Sequence, residues 1–297
     1  MADPSAGTGT GTGTGTGASG GTLYVVATPI GNLGDVTFRA LEVLRSVAVV
    51  AAEDTRITRR LFARYEITTR LTSFHANSGP AKLADLVARL RGGEDVALVT
   101  DAGTPIVSDP GEDLVGAWAA EGGAVVAIPG ASAVLAAVAS SGIAGPRWGF
   151  EGFLPRSGPE RKERLARIAA DDRSTVLFEA PGRLGATLRD LAAACGADRR
   201  AAVCRELTKL HEQVARGSLG ELVGQVGAAI PERGEIAIVV AGADAPGAPD
   251  EEQAAANLED ARARVDALVR DGMPRSEAAR RVAAETGQPR RELYGRG

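Results

Sequence analysis

From residue 23 onward, short apolar runs alternate with segments in which apolar residues return every three or four positions. The runs Leu23 to Ala27, Ala48 to Ala52, Leu71 to Phe74, Val96 to Val99 and Val125 to Ile128 read as strands. The stretches Phe38 to Arg45 and Leu83 to Leu90 carry the spacing of one-sided helices. This alternation predicts an α/β domain over 23–145, with a mostly parallel sheet flanked by helices. The Gly- and Pro-dense segment SGIAGPRWGFEGFLPRSGP then predicts a hinge. A second alternation follows, with strands near Ser174 to Phe178, Ala201 to Cys204 and Glu235 to Val240. Helices are expected near Glu160 to Ala170, Gly182 to Ala194 and Leu219 to Ala229, which makes 146–242 a smaller α/β domain. At the ends, 1–22 is a Gly/Thr repeat that reads as a flexible, disordered tail, and 243–258 is a polar linker. Over 259–297 helical periodicity returns in Val265, Leu268 and Val269, then Ala278, Ala279, Val282 and Ala283. Ser276 is a plausible N-cap, and Gly287 and Pro289 separate two short helices, so the segment reads as helix-turn-helix-like.

Composition narrows the class. The 297 residues suffice for two ordinary domains with their own cores. No apolar run approaches the length of a transmembrane helix, and the first residues lack the charged start and apolar centre of a signal peptide. A cytoplasmic protein without membrane contact is expected. A net charge of −4 argues against non-specific coating of nucleic acid, which depends on neutralising phosphates. Two local clusters run the other way. PRSGPERKERLAR, from Pro155 to Arg167, has five basic residues against two acids, and Ala261 to Gly297 has nine arginines against five acids. The first reads as a salt-bridged, solvated helix face or as a nucleic-acid contact. The second is a packing appendage or a contact to RNA or DNA. Cys195 and Cys204 read as core thiols.

Candidate chemistry gathers where strands end. Val96 to Val99 and Val125 to Ile128 read as buried strands, and each runs into a loop of Gly, Pro, Ser, Thr and Asp. Open α/β sheets keep their ligands at the carboxyl ends of their strands, so Asp101, Gly103, Thr104, Ser108 and Asp109 mark a small-molecule site. ATPIGNLGD after the first strand is not a Rossmann fingerprint, and no P-loop occurs. Glu53 and Asp54 can cap the helix that follows them, but with Arg56 they also suit a polar, phosphorylated substrate. His75 follows a strand, and Arg205, Glu206, Thr208, Lys209 and His211 crowd after another as an ion-pair network or the lip of a site. The two histidines match no zinc pattern, and no G-x-S-x-G supports a serine hydrolase.

Taken in order, TPIGN, EDTR, DAGTP, PGASA, EGFLPR, FEAPGRL, RELTK and RGEIAIVVAGA resemble the tetrapyrrole methylase superfamily, and within it the branch that methylates ribosomal RNA. The resemblance covers about residues 22 to 242. It implies a two-domain α/β class III methyltransferase, usually a homodimer, that binds S-adenosylmethionine in the cleft between domains without metal. By motif matching, Pro29, Asp101, Ala102, Gly103, Thr104, Pro105, Val107, Ser132, Ala133, Glu179 and Leu207 would line the cofactor pocket. Thr104 stands where many relatives have Asp. The implied activity is methylation of a cytidine ribose 2′-oxygen in the decoding region of small-subunit rRNA, free or in the 30S subunit. Candidates for base or orienter are Glu53, Asp54, His75, Glu206 and Lys209, while Arg56, Arg156, Arg161, Lys162 and Arg205 would contact the rRNA. The alternatives are a methylase of a small tetrapyrrole or other acceptor, and a non-catalytic ribosome-binding protein on the same scaffold.

Overall fold

A computed structural model of the chain describes residues 20–243, 251–286 and 288–294, with side chains from 257 in the second of these segments. The molecule divides into two compact units, Met1–Ala243 and Asp244–Gly297. The first unit begins with β1 (Thr22–Val26), α1 (Phe38–Ser46), β2 (Val49–Ala52), α2 (Thr55–Arg64), β3 (Leu71–Ser73) and α3 (Pro80–Arg91). β4 (Val96–Val99), α4 (Glu112–Ala120), β5 (Ala124–Ile128) and α5 (Ala133–Ser141) complete its first lobe. Its five strands are all parallel, in the order β3-β2-β4-β1-β5. β2 and β4 are buried at every position, as their Val/Ala/Leu sequences require under helices on both faces. β5 departs from expectation. It closes the sheet as an edge strand, and most of its residues are open to solvent because nothing pairs beyond it.

The second lobe comprises β6 (Trp148–Phe153), α6 (Pro159–Ala170), β7 (Ser174–Glu179), α7 (Leu184–Cys195), β8 (Arg200–Arg205), β9 (Gln213–Ser218), α8 (Leu219–Gln225) and β10 (Ile236–Val240). The strand order is β6-β7-β10-β8-β9, and only β6 and β7 run parallel. Two strands here correct the sequence reading. The supposed hinge contains β6, whose register slips between Phe150 and Gly152, where Gly152 takes a φ of +60°. The charged lip leads into β9, which pairs antiparallel with β8 through Arg205–Gln213 and on to Arg200–Ser218.

The lobes share a core. α5 belongs by sequence to the first lobe, yet Val134 and Ala137 pack with Val176, Ala202, Cys204, Ala237 and Val239 of the second sheet. The small Ala and Val side chains let the helix lie close to those strands.

Two terminal boundaries also shift: Thr22 belongs to β1, and within the expected linker residues 251–258 are helical, in α9 (Glu251–Arg270). Residues 1–19 and 244–250 of the expected tail and linker lie outside the described residues. α10 (Arg275–Thr286) and α11 (Arg290–Leu293) complete the second unit around Ala261, Val265, Ala278, Ala279, Val282 and Leu293. Ser276 lies inside α10 rather than capping it; the backbone N–H groups of Glu277 and Ala278 donate to the Pro274 carbonyl. No helix among the described residues is long and apolar enough to cross a membrane.

Candidate active site

Loops at the carboxyl ends of β1, β4, β5, β7 and β8 surround a cavity of about 370 Å³ between the lobes. The first-lobe wall is zipped together by backbone. Thr28 N donates to Gly103 O at 2.8 Å, Gly103 N donates to Thr28 O at 3.0 Å, and Thr28 Oγ1 donates to Thr100 O at 3.1 Å. Gly103 holds a φ of +85°, and a Cβ there would lie 3.3 Å from Ile30 Cγ2. Beyond it Ile106 and Ser108 take φ of +78° and +66°. Such conformations cost roughly 1–3 kcal/mol each and persist where surrounding structure holds them, commonly around binding sites.

Of the expected cofactor residues, Ala102, Gly103, Thr104, Val107, Ser132, Ala133, Glu179 and Leu207 line the cavity. Pro29, Asp101 and Pro105 do not. Asp101 instead accepts from Asp54 N at 2.9 Å, fastening the loop after β4 to the one after β2. Glu179 is buried and accepts from Thr187 Oγ1 at 2.5 Å and from Ala180 N at 2.8 Å, with Arg183 Nε at 3.2 Å.

None of the five residues expected as base or orienter lines the cavity. Glu53 accepts from Thr100 Oγ1 at 2.8 Å. Asp54 caps α2 and pairs with Arg56 at 2.6 Å; the hydrogen bonds from the Arg56 side chain and backbone hold its carboxyl down to about 2. A carboxylate so readily ionised is a weak base at neutral pH. His75 is exposed, and its Nδ1 accepts from Asn77 N at 3.2 Å within its own turn. Lys209 Nζ lies 2.8 Å from Glu206 and 3.2 Å from Glu235. Its stem crosses to the first lobe, where a Cβ on Gly31 would lie 2.4 Å from Lys209 Cγ. Lys209 therefore latches the lobes together.

The five cationic candidates separate. Arg205 is 6% exposed and donates to Gln213 Oε1 and to the carbonyls of His211 and Arg233, so it braces loops and has no free fork for phosphate. Arg161 is 7% exposed and donates to Asp190, Thr187 Oγ1 and Pro155 O. Its spacing with the buried Leu165 and Ile168, four and seven positions on, was the available signal that it faces inward. Arg56 is committed to Asp54. Arg156 and Lys162 remain exposed, on the rim of a shallow hollow between α6 and α7.

Sequence reasoning placed Asp109 in the loop without giving it a role. It lines the cavity half-buried, and burial pushes its carboxyl up to about 6, against a hydrogen bond with Thr100 that lowers it; the nearby Glu53 and Asp101 charges raise it further. A proton on Asp109 therefore favours the folded chain. That contribution is complete below the ordinary value of 3.8 and is lost as pH rises through about 6. Cys204 and Glu235 also line the cavity; burial raises the Cys204 thiol. Both lie on or beside core strands, and only the pairing of β8 with β10 brings them to the site.

A parallel sheet and a largely antiparallel sheet thus meet at a cavity lined by the loops between their strands and helices. The profile of the family described as Tetrapyrrole (Corrin/Porphyrin) Methylases matches residues 22–223, and that of the RsmI C-terminal HTH domain matches 255–297. The chain belongs to the tetrapyrrole methylase family, in its ribosomal RNA small subunit methyltransferase I branch. It is 44% identical over 274 residues to ribosomal RNA small subunit methyltransferase I of Synechocystis sp., covering 92% of this chain and 96% of the relative. The Bacillus subtilis protein of the same name is 40% identical over 92% of this chain and 93% of its own. Among solved structures, a cobalt precorrin-4 methyltransferase aligns with a TM-score of 0.57 at 18% identity, over 74% of this chain and 94% of that one. Diphthine synthase aligns with the same score and identity, over 74% of this chain and 89% of that one. These two share the fold.

The cavity suits S-adenosylmethionine. Its volume falls in the range of about 300–1,000 Å³ usual for small-molecule sites. Gly103, with no side chain to obstruct it, brings backbone to the wall, and among the described residues no lysine or arginine lines the cavity to repel a cationic sulfonium.

Proposed function

We propose that this protein is a cytoplasmic enzyme that methylates the ribose 2′-oxygen of a cytidine in the decoding region of small-subunit rRNA, with S-adenosylmethionine as donor. The observation that carries this reading is the cavity between the lobes, built from the family's own loops in a chain 44% identical to an rRNA small subunit methyltransferase. Bound there, S-adenosylmethionine supplies an electrophilic methyl group on sulfur. The paired backbones of Thr28 and Gly103 and the loop of Ser132 and Ala133 would fix its place. Val107, Leu207 and Ala237 would exclude water, so that donor and acceptor meet in one alignment. A ribose hydroxyl is a weak nucleophile near neutral pH and needs a positioned proton acceptor.

The direct test incubates the protein and S-adenosylmethionine with 30S subunits and, separately, with naked rRNA lacking the modification, followed by mass spectrometric mapping. One new 2′-O-methylcytidine in the decoding region is expected. Cofactor binding without any modified rRNA would favour a different acceptor.

Arg156 and Lys162, exposed cations of the basic run that, unlike Arg167 beside Glu151, have no acidic partner among the described residues, are the proposed phosphate contacts. Replacing both by Ala should weaken binding to the subunit and flatten the slope of log affinity against log salt by roughly 1–2. An unchanged slope would return this stretch to a solvated helix face. We also infer a homodimer. Phe38 is 87% exposed, and next to it Arg39 reaches the Ala127 carbonyl on the open edge of β5. An apolar side chain beside an unpaired strand edge is a surface that a second copy can cover. Sedimentation at micromolar concentration should give twice the chain mass, and a monomer throughout would remove the inference.

A further inference from the structure

We propose that Asp109 is the group that takes the proton from the incoming ribose hydroxyl, with Thr100 and Glu53 as positioning residues behind it; this rests on the methyl-transfer reading above. Four titratable side chains line the cavity, and three are unsuited to the task. Glu179 is enclosed by the Thr187 hydroxyl, the Ala180 amide and Arg183. Glu235 points largely to solvent and pairs with Lys209. The Cys204 thiol is held protonated by burial. The charged neighbours of Asp109 are Glu53, at the end of β2, and Asp101, after β4, and both are acids. From the second lobe, β6 comes close through Gly152, where a Cβ would lie 3.2 Å from Ser108 Oγ, and Phe153 lines the same cavity; neither carries charge.

Burial, with these two acids beside it, gives the carboxylate a proton affinity near the working pH, where general bases are most effective. Asp109 accepts the O2′ proton while the O2′–C bond forms and the C–S bond opens, with the C–S electron pair remaining on sulfur. The charges balance: a carboxylate becomes a carboxylic acid as a sulfonium becomes a neutral thioether. Behind Asp109 the Thr100 hydroxyl donates to Glu53 Oε2 at 2.8 Å, and the same hydroxyl is the hydrogen-bond partner that favours ionised Asp109, so its one proton serves two carboxylates. Glu53, at the sheet end and outside the cavity, thus competes with Asp109 for that donor, fixing where the hydroxyl sits, and raises the proton affinity of Asp109 through charge.

Single-turnover methylation of 30S subunits, followed from pH 5 to 8.5, tests the assignment. The wild-type rate should rise with pH to a plateau, with a midpoint near 6. Asp109→Asn should be at least ~100-fold slower while its affinity for S-adenosylmethionine, measured by calorimetry, stays within about threefold. At pH 7.5 it should melt above the wild type, because it removes a half-buried charge. Glu53→Gln should move the midpoint to lower pH by relieving the repulsion on Asp109, which a purely structural role would not do. An Asp109→Asn enzyme as fast as the wild type, a loss of cofactor affinity that matches the loss of rate, or an unmoved Glu53→Gln midpoint would each overturn the proposal. The variants are judged against a wild type that methylates subunits, so failure of the wild type itself is counted against the underlying reading.

Discussion

Gly103→Val should abolish measurable binding of S-adenosylmethionine, with affinity falling at least ~100-fold. A β-branched residue is strained at the φ of +85° that Gly103 holds, and the strain is on the order of 1–3 kcal/mol. Relaxing it would break the reciprocal backbone bonds to Thr28 that form the cavity wall. The new side chain would start 3.3 Å from Ile30 Cγ2 and so press into the wall or fill the cavity. Calorimetric titration of a folded variant reads the effect directly. Affinity within threefold of the wild type would detach this loop from the cofactor. Gly103→Ala, which adds the Cβ alone, should show the same change at about a tenth of the size.

Arg161→Ala should cost about 3 kcal/mol of stability and leave phosphate contacts intact. The buried guanidinium is held by Asp190 at 2.7 Å, Thr187 Oγ1 at 3.0 Å and the Pro155 carbonyl at 2.8 Å. Its removal leaves polar partners facing a void, which typically costs 3–5 kcal/mol for a buried pair. Asp190 is half exposed and recovers water, which places the value at the lower end. Urea unfolding should show the loss as a lower midpoint. Thr187 also donates to Glu179 in the cavity wall, so cofactor affinity should fall modestly with stability. A variant of unchanged midpoint that binds subunits poorly would restore Arg161 to the rRNA surface.

The contrast between Arg161 and its neighbours shows what the chain discloses about itself. A basic run reveals charge, but which member turns inward depends on helix phase, and that phase was readable from Leu165 and Ile168. The parallel strands were legible because β2 and β4 are continuous Val, Ala and Leu, buried on both faces. β6 was not, since Gly149, Gly152 and the flanking prolines signal a break, whereas the structure uses Gly152 to bulge a strand. β9 escaped because its sequence, QVARGS, mixes the polar Gln213, Arg216 and Ser218 with small residues and lacks the two-residue alternation of a strand. The cavity's loops were visible from their Gly and Pro content. Asp109 was visible as a residue but its raised proton affinity was not, because that comes first from burial in the cavity and then from the charges of Glu53, far back in the chain, and Asp101.

The helix shared by the two sheets bears on how this protein is made. During synthesis the first five strands and α5 leave the ribosome before any of the second sheet exists. Val134 and Ala137 then have no strands to cover them until β7, β8 and β10 have emerged. The opening half of the chain is therefore incomplete as a folding unit, and a fragment ending after α5 should be sticky and prone to capture by chaperones. Only when β10 slots between β7 and β8 can the interior close, so the binding cavity cannot form before β10 has emerged.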